Sequence, residues 1–211
     1  MPENYQNFDA LSDLSDAELL QHYLEGDANA FSVLIKKYQG ALFGYLAKLT
    51  GDKTAAEDIF QETFIKVFRN ASQFQSGKRF KPWLYAIAVN AARDYMRSAS
   101  RQSKPADYDE SYQSADIFEQ IPAKILPPEK ILVNREHAQT VQDTVALLPL
   151  DLREVLILSY FAQLPHREIA EIMDLPTGTV KSRLHRALAT FSHHWNRLCD
   201  SCEEEYQNEC R

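Results

Sequence analysis

The sequence predicts an all-α protein made of two small helical domains that a flexible linker joins. Apolar residues recur every three or four positions over much of residues 15–97 and again from residue 129, which is helical spacing. No alternating apolar and polar run of any length indicates a strand. Residues 98–128 lose this periodicity and hold four prolines among polar side chains, which is typical of a linker.

The first domain is expected to begin with a short helix followed by a long one. Ser15 followed three residues later by Glu18 predicts a capping box at the start of the short helix, and Gly26 can end it. Asp27 can cap the long helix. The apolar positions at helical spacing in that helix are Phe31, Leu34, Ile35, Tyr38, Leu42, Tyr45, Leu46 and Leu49.

Two further helices complete the first domain. Gly51 interrupts the pattern, and Thr54 followed by Glu57 predicts a second capping box. Residues 71–79 are interpreted as a loop, and Pro82 suits the first turn of the last helix. The apolar stripe of the third helix is Ile59, Phe60, Phe64, Val67 and Phe68. The last helix carries Trp83, Leu84, Ile87, Ala88 and Ala91 on one face, which places Trp83 in the core.

The second domain is predicted to end in a helix-turn-helix. Helical patterning covers residues 129–148, stops at Pro149 and restarts over 151–163. Residues 166–188 then predict two short helices separated by a turn at Asp174, a residue that tolerates left-handed geometry. The positions that would be buried are Ile169, Ile172, Met173, Val180, Leu184 and Leu188.

The outward face of the second of these helices has the chemistry of a DNA-reading surface. A helix in this place enters the major groove, where Lys and Arg bond guanine edges and hydroxyls reach bases or phosphates. No acidic residue occurs between Asp174 and Asp200, so the face would not repel the DNA backbone. An ordinary helical hairpin with a basic face is the alternative. The candidate DNA-binding residues on this face are Thr177, Thr179, Lys181, Ser182, Arg183, His185 and Arg186.

The charge distribution is consistent with a local DNA-binding surface although the net charge is −7. Residues 1–30 carry seven acids and no Lys or Arg, whereas residues 31–97 carry eleven bases and five acids. A basic stretch between acidic ends can bind a polyanion locally, and a solvated helix face is the alternative explanation. No apolar run reaches the roughly 18–20 residues of a membrane span, so a cytoplasmic protein without membrane insertion is expected.

The three cysteines all fall in the last thirteen residues, so no disulfide framework is expected. The Cys199–Cys202 spacing, with Cys210 and His193 or His194, leaves open a zinc-binding or redox-sensing tail. No cofactor is predicted, because the acidic end does not favour an ordered metal site. An enzyme is not predicted either, since no nucleophile–base arrangement, phosphate loop or compact carboxylate cluster stands out.

Three segments together resemble a known family. They are residues 55–70 (AAEDIFQETFIKVFRN), 80–97 (FKPWLYAIAVNAARDYMR) and 148–188, which contains the helix-turn-helix. In this order they are similar to the bacterial sigma factors, specifically the two-domain extracytoplasmic-function class. The implied organisation is an acidic extension (1–14), a region-two-like domain (15–97), a linker (98–128), a region-four-like domain (129–195) and an acidic cysteine-containing tail (196–211).

The resemblance implies a role for each segment. The first would bind the clamp of core RNA polymerase, with candidate residues Asp58, Gln61, Glu62 and Arg69. The loop before the second segment and the helix itself would capture bases of the minus-ten element as the promoter opens. The candidate minus-ten residues are Gln73, Phe74, Lys78, Arg79, Asn90 and Arg93. The third segment would read the minus-thirty-five element with the seven candidate DNA-binding residues from Thr177 to Arg186 named above, and it would contact the polymerase flap.

Two functions from different classes remain open at this point. The resemblance implies a sigma factor that is a monomer when free, depends on core polymerase and promoter DNA, and is restrained by an anti-sigma factor. The alternative is a freestanding helix-turn-helix regulator, which would bind a palindrome tightly as a symmetric dimer without polymerase.

Overall fold

The computed structural model describes residues 11–75, 77–103 and 138–209, with side chains for 11–75, 77–98 and 140–197. Every regular element in these ranges is a helix, which confirms the predicted class. Most of the predicted linker and the acidic extension before residue 11 lie outside the described residues. The same holds for the side chains of the cysteine-containing tail and for residues 129–137 of the predicted second domain.

In the part of the first domain that the structure describes there are four α-helices and a short 3-10 turn. The helices are α1 (Asp16–Leu24), α2 (Ala28–Thr50), α3 (Lys53–Asn70) and α4 (Phe80–Ser103), and the turn covers Ala71–Gln73. Helices α1 and α3 both pack on α2, and α4 packs on α3. Their facing sides bury Leu34, Leu42, Leu46, Ile59, Leu84 and Ala88 almost completely.

The helix starts of this domain follow local side-chain chemistry. The capping box at Ser15 and Glu18 is confirmed, because each side chain accepts a hydrogen bond from the other residue's backbone N–H. Asp27 caps α2 as predicted, accepting from the N–H of Asn29 at 2.9 Å. The predicted second capping box is wrong. Asp52 caps α3 instead, with its carboxylate 2.8 Å from the N–H of Thr54.

Asp52 can take this place because Gly51 ends α2 in the left-handed conformation, with φ of 72°. The chain therefore reverses within one residue, and the next side chain already lies at the start of α3. An aspartate there accepts from exposed N–H groups at least as well as a threonine, and its charge is also favoured at a helix N-terminus.

The second domain consists of α5 (Ala138–Ala146), α6 (Leu150–Tyr160), α7 (His166–Met173) and α8 (Thr177–Glu209). Helix α6 ends three residues earlier than predicted, and Gln163 beyond it has a positive φ of 52°. Helix α8 continues through residue 209 as one element, so the backbone shows no break where the tail was predicted to begin.

The two domains pack directly against each other. Helix α7 lies on α4, and α5 and α6 lie on α2. Buried side chains form one continuous cluster that runs from Leu11, just before the first domain, to Phe191 in α8. A predicted DNA-binding residue can therefore lie either on the outer surface or within the contact between the domains.

Candidate nucleic-acid interface

The helix-turn-helix is formed by α7, a tight turn and the start of α8. Asp174 adopts the predicted left-handed conformation (φ 54°, ψ 52°), and its N–H donates to the carbonyl of Ala170. Helix α8 then starts at Thr177, where the N–H of Val180 donates to the carbonyl of Pro176 at 3.1 Å. Val180, Leu184 and Ala187 are buried beneath it, which turns the opposite face of α8 outward.

That outward face presents most of the candidate minus-thirty-five residues to solvent. Thr177, Lys181, Ser182, His185 and Arg186 are exposed. Thr179 and Arg183 are half-buried, and the Nε of Arg183 lies 3.7 Å from the Oδ2 of Asp151 on α6. The face can therefore offer cationic and hydroxyl donors over about three turns of helix, and that is the chemistry of phosphate and base-edge contacts.

The loop before α4 holds the first candidate minus-ten residues. Gln73, Lys78 and Arg79 are exposed, and the neighbouring Ser76 lies outside the described residues. Phe74 is half-buried, with its ring centroid 5.8 Å from that of Phe80.

Trp83 packs in this aromatic group against the core, as its interpretation as a core residue requires. Its ring centroid lies 5.2 Å from that of Phe74. Phe74 therefore anchors the loop to the domain and leaves the polar groups of the loop to contact a ligand.

Arg93 on α4 forms an ion pair with a residue of the second domain. The sequence predicts that Asn90 and Arg93 face nucleic acid, and Asn90 is exposed. The guanidinium of Arg93 instead forms a bidentate pair with Glu154 of α6, with N···O distances of 2.9 and 2.7 Å. The two side chains are 25% and 2% exposed. The hydrogen bonds that Arg93 donates to Glu154 raise the pKa of Arg93, so its guanidinium stays charged.

The start of α4 makes a second set of polar contacts to the other domain. Arg79 pairs with Glu168 of α7. The Nζ of Lys81 donates to the carbonyl of Ala162 at 2.7 Å. Burial lowers the pKa of Lys81, and the positive charge of Arg79 lowers it further.

Glu154 and Glu168 were not among the predicted site residues. Both are acids at positions that the structure buries, and Glu154 directly precedes the apolar run of residues 155–158. A buried carboxylate needs a cationic or hydrogen-bonding partner, so an acid next to such a run is the signal that could have found Glu154. Glu168 follows Arg167 in a helix of mixed polarity and gives no comparable signal.

The candidate polymerase-binding residues share one exposed side of α3. Asp58, Gln61, Glu62 and Arg69 are all exposed. A cleft of about 410 Å³ lies between α3 and α4, and its lining includes Asp58 and Glu62. The remaining lining residues are Ile59, Lys66, Ala91, Asp94, Tyr95 and Ser98.

Two large apolar side chains of α3 are exposed beside these polar groups. Ile65 is 44% exposed and Phe68 is 55% exposed. The prediction that Phe68 lies on the buried stripe is therefore wrong, because α3 turns this position to the domain surface. Its ring rests against those of Tyr23 and Phe31, with centroids 5.5 and 5.9 Å away. An apolar patch with a charged rim is the usual form of a protein-docking surface.

No helix among the residues that the structure describes is both long and apolar enough to cross a bilayer. No cluster of three metal-ligating side chains occurs among the same residues. Cys199, Cys202 and Cys210, for which the sequence leaves zinc binding or redox sensing open, lie outside the described side chains, while the rings of His193 and His194 pack edge to face at 5.6 Å.

Comparison with protein families finds two matches in the order of the two domains. Residues 34–102 match the model described as Sigma-70 region 2, and residues 138–191 match the model described as Sigma-70, region 4.

Whole-chain relatives agree with these matches. The RNA polymerase sigma-H factor of Pseudomonas aeruginosa is 36% identical over 179 residues, covering 84% of this chain and 92% of that protein. The ECF RNA polymerase sigma-E factor of Escherichia coli is 35% identical over 180 residues, covering 82% of this chain and 91% of that protein. The corresponding factor of Haemophilus influenzae is 34% identical over 175 residues, covering 82% and 92%.

Solved structures show the same fold at lower sequence identity. CnrH in complex with the cytosolic domain of CnrY has a TM-score of 0.62 at 23% identity, covering 88% of this chain and 97% of that chain. The sigma factor RpoE in complex with the anti-sigma factor NepR from Bartonella quintana has a TM-score of 0.59 at 23% identity, covering 79% and 96%.

Proposed function

The chain belongs to the extracytoplasmic-function class of sigma-70 factors, and we propose that its two domains divide promoter recognition between α4 and α8. It directs core RNA polymerase to specific promoters and starts transcription there under the control of an anti-sigma factor. This conclusion rests on the two family matches, which follow each other along the chain as region 2 and then region 4. The exposed cationic face of α8 lies near the end of the region 4 match.

Recognition of the minus-thirty-five element is assigned to α8. Lys181 and Arg186 supply the charges, and Thr177, Ser182 and His185 supply further polar groups on the same exposed face. The absence of acids from residues 175–199 supports this assignment, because a phosphate backbone would meet no like charge along that part of the helix.

Recognition of the minus-ten element is assigned to the loop before α4 and to α4 itself. The loop offers the amide of Gln73 and the cations Lys78 and Arg79, while Asn90 and Arg93 lie along the helix. Capture of extruded bases there would offset the few kcal/mol that unstacking costs.

The binding of core polymerase is assigned to the exposed side of α3. Ile65 and Phe68 would provide the apolar contact, and Asp58, Glu62 and Arg69 would orient the partner. The second domain would contact the polymerase flap, and a monomeric chain would then hold two DNA contacts at a fixed separation. The second contact becomes nearly intramolecular, at an effective concentration in the millimolar range.

In this account the chain contributes binding energy and performs no covalent chemistry. It acts where the polymerase acts, in the cytoplasm. An anti-sigma factor would compete with polymerase or promoter for the exposed faces of both domains, and the complex of the structural neighbour RpoE with the anti-sigma factor NepR supports a partner of this kind.

Run-off transcription with purified core polymerase on a genomic promoter library tests the proposal. The expected result is a set of transcripts that requires the chain and shares one promoter consensus. Tight binding to a palindrome as a dimer, with no core-dependent transcript, would replace the sigma assignment with a freestanding regulator.

The polymerase-docking assignment has its own test. Ile65→Ser should weaken binding to core polymerase by about tenfold, because it removes an apolar side chain from the contact. Leu24→Ser is the matched control, since Leu24 is a similarly exposed apolar residue on α1. Equal losses in the two variants would contradict the assignment.

A further inference from the structure

We propose that Asp16 and Tyr38 position the loop that captures bases of the minus-ten element, without contacting the DNA themselves. The inference rests on the proposed function, because it takes the loop before α4, residues 71–79, as the part that meets the extruded bases. It adds two positioning residues, on α1 and α2, that lie outside the segments assigned to DNA or polymerase.

Asp16 joins α1 to α2 through two side chains of α2. The hydroxyl of Tyr38 donates to the Oδ2 of Asp16 at 2.5 Å. The Nζ of Lys37 lies 2.6 Å from the Oδ1 of the same carboxylate. Asp16 is the first residue of α1, where the partial positive charge of a helix N-terminus favours a carboxylate. Helix α1 is therefore tied to α2 at its N-terminal end.

The hydroxyl of Tyr38 is kept as a hydrogen-bond donor by its surroundings. Tyr38 is only 8% exposed. Burial raises the pKa of its hydroxyl well above the ordinary value, and the hydrogen bond to Asp16 raises it further. The positive charge of Arg79 acts in the opposite direction on this pKa, so a candidate minus-ten cation lies near the same hydroxyl. The hydroxyl therefore stays protonated at neutral pH and links α1 to the neighbourhood of the loop.

The ring of Tyr38 supports the end of the loop at which α4 begins. Its centroid lies 5.4 Å from that of Phe80, the first residue of α4, which is buried. Phe80 packs in turn against Phe74 of the loop, with 5.8 Å between the centroids. Three packed rings therefore connect the hydrogen bond at Asp16 to the residue that anchors the loop.

The other end of the loop lies against α1 itself. Helix α1 contacts the 3-10 turn Ala71–Gln73, and Ala71 in this turn is buried. The same turn carries Gln73, whose amide is a candidate for base contacts. One end of the loop is thus supported by α1 and the other by Tyr38 of α2, and Asp16 is a polar joint between these two supports.

Base capture benefits from a loop that is already fixed. Gln73, Lys78 and Arg79 must meet an extruded base in one arrangement, and a loop that is ordered only on binding would lose affinity. Donors held in place by supporting contacts also discriminate better between one base edge and another. Loss of the Tyr38 hydroxyl should therefore affect recognition of the minus-ten strand more than binding of polymerase, which is assigned to α3.

Substitutions that remove single groups test the positioning role. Tyr38→Phe removes the hydroxyl and keeps the ring against Phe80. Tyr45→Phe is the matched control, because Tyr45 is also a buried tyrosine of α2 and its ring centroid lies 5.4 Å from an aromatic ring of α4. Its hydroxyl has no hydrogen-bond partner among the residues that the structure describes. Asp16→Ala removes the acceptor, and Asp16→Asn keeps an acceptor for the Tyr38 hydroxyl.

The assay uses holoenzyme formed from each full-length variant and core polymerase. Fluorescence anisotropy measures its affinity for a labelled single strand that carries the minus-ten element shared by the run-off promoters, and for a strand with one base of that element changed. The affinity of each variant for core polymerase is measured separately. Far-ultraviolet circular dichroism checks that the variants remain folded.

Tyr38→Phe and Asp16→Ala should each lower affinity for the minus-ten strand about tenfold and narrow the preference for the unchanged element, because both break a hydrogen bond to a charged group. The two substitutions combined should lose no more than either alone, since they remove the same contact. Affinity for core polymerase should stay within about twofold, and Asp16→Asn should retain most of the capture.

Equal losses in Tyr38→Phe and in the control Tyr45→Phe would overturn the proposal. So would a loss for the minus-ten strand that is matched by an equal loss for core polymerase, because both results indicate general destabilisation of the domain.

Hydrogen exchange of the free chain tests the same positioning without DNA. The N–H of Phe74 donates to the carbonyl of Ala71 at 3.1 Å, and the N–H of Lys78 also donates within the loop, at 2.9 Å. Both amides should exchange about tenfold faster in Tyr38→Phe than in wild type, whereas the amide of Val180 in α8 should be unchanged. Unchanged exchange in the loop, or equal acceleration at Val180, would contradict the positioning role.

The wild-type protein separates failure of this inference from failure of the proposed function. Wild-type holoenzyme that starts no transcripts would remove the proposed function and the positioning role together. Wild-type holoenzyme that transcribes and captures the minus-ten strand, with Tyr38→Phe performing equally well, would leave the proposed function standing and remove only the role of Asp16 and Tyr38.

Discussion

The two helices assigned to DNA differ in what surrounds their cations. On α8, Lys181 is exposed on a face without acids, whereas on α4 the guanidinium of Arg93 is bonded to Glu154 of the other domain. Similar residue types were predicted for both faces from the same chemistry. The difference shows that a DNA-reading surface is defined by its neighbours in a given state as well as by its own side chains.

The largest effect is expected on the uncovered face. Lys181→Ala with Arg186→Ala should reduce core-dependent transcription by roughly 100-fold, because each lost contact to a phosphate or base costs about 1–3 kcal/mol. The interdomain contact should be unaffected, so small-angle scattering from the free chain should stay the same. Lys36→Ala with Lys53→Ala, which removes two exposed cations of the first domain, serves as the charge-matched control.

A comparable loss in that control would mean that net charge, and not the α8 face, limits transcription. The comparison between α4 and α8 would then lose its functional basis.

The two acids of the second domain that contact the cations of residues 79–93 should contribute unequally to the contact between the domains. Glu154→Gln should weaken this contact by about 1–3 kcal/mol, since it removes charge-assisted hydrogen bonds from a buried pair. Glu168→Gln should weaken it by less than about 1 kcal/mol, because the side chain of Arg79 is 73% exposed and water screens the pair. Small-angle scattering of the single variants measures this order, and a greater expansion of the Glu168→Gln chain would reverse our ranking of the contacts.

The two domains also start their helices differently. Ser15, Asp27 and Asp52 cap helices of the first domain with side-chain oxygens, while α6 and α7 begin after Pro149 and Pro165 without a side-chain cap. This contrast predicts that the first domain depends more on individual polar residues.

Asp52→Ala should lower the free energy of unfolding by about 1 kcal/mol, because the N–H of Thr54 loses its acceptor. Thr54→Ala should have little effect, since the threonine hydroxyl does not cap the helix. Urea denaturation of both variants measures the difference, and a larger loss from Thr54→Ala would restore the capping box that the sequence predicted.

The smallest effects are expected where the helices end. Gly51 and Asp174 both adopt left-handed conformations, at φ of 72° and 54°. Gly51→Ala should cost about 1 kcal/mol of stability through backbone strain, because nothing lies within 4 Å of the added carbon. Asp174→Gly should change stability by only about 0.5 kcal/mol, since relief of strain is offset by the entropy of the unfolded glycine. Thermal unfolding distinguishes these outcomes, and a large loss from Asp174→Gly would show that the aspartate side chain has another role.

Much of the fold could be predicted because the relevant signals are local. The capping box at Ser15, the cap at Asp27 and the left-handed turn at Asp174 each depend on residues within a few positions of one another. The position of Phe68 could not be read in this way. Its apolar character fits a buried stripe, and only the packing of α3 on α2 decides that it lies at the surface.

The site was likewise predictable only where it depends on local sequence patterns. Patterning identified α3, α4 and α8 and the side chains they could present to partners. It did not identify the acceptors that cover α4, because Arg93 and Glu154 are 61 residues apart and Arg79 and Glu168 are 89 apart. Contacts at such separations depend on how two domains meet, and helical periodicity within one domain carries no information about that.

Lysine acylation followed by mass spectrometry tests the central difference most directly, because Lys81 and Lys181 report on the two faces within one molecule. Burial lowers the pKa of Lys81, which by itself would speed acylation, whereas its hydrogen bond to the carbonyl of Ala162 in the second domain would slow it. We expect Lys181 to react rapidly in the free chain and Lys81 to react slowly, with the Lys81 rate rising in the variant that lacks both Glu154 and Glu168 carboxylates. A Lys81 that reacts as fast as Lys181 in the free wild-type chain would contradict the account.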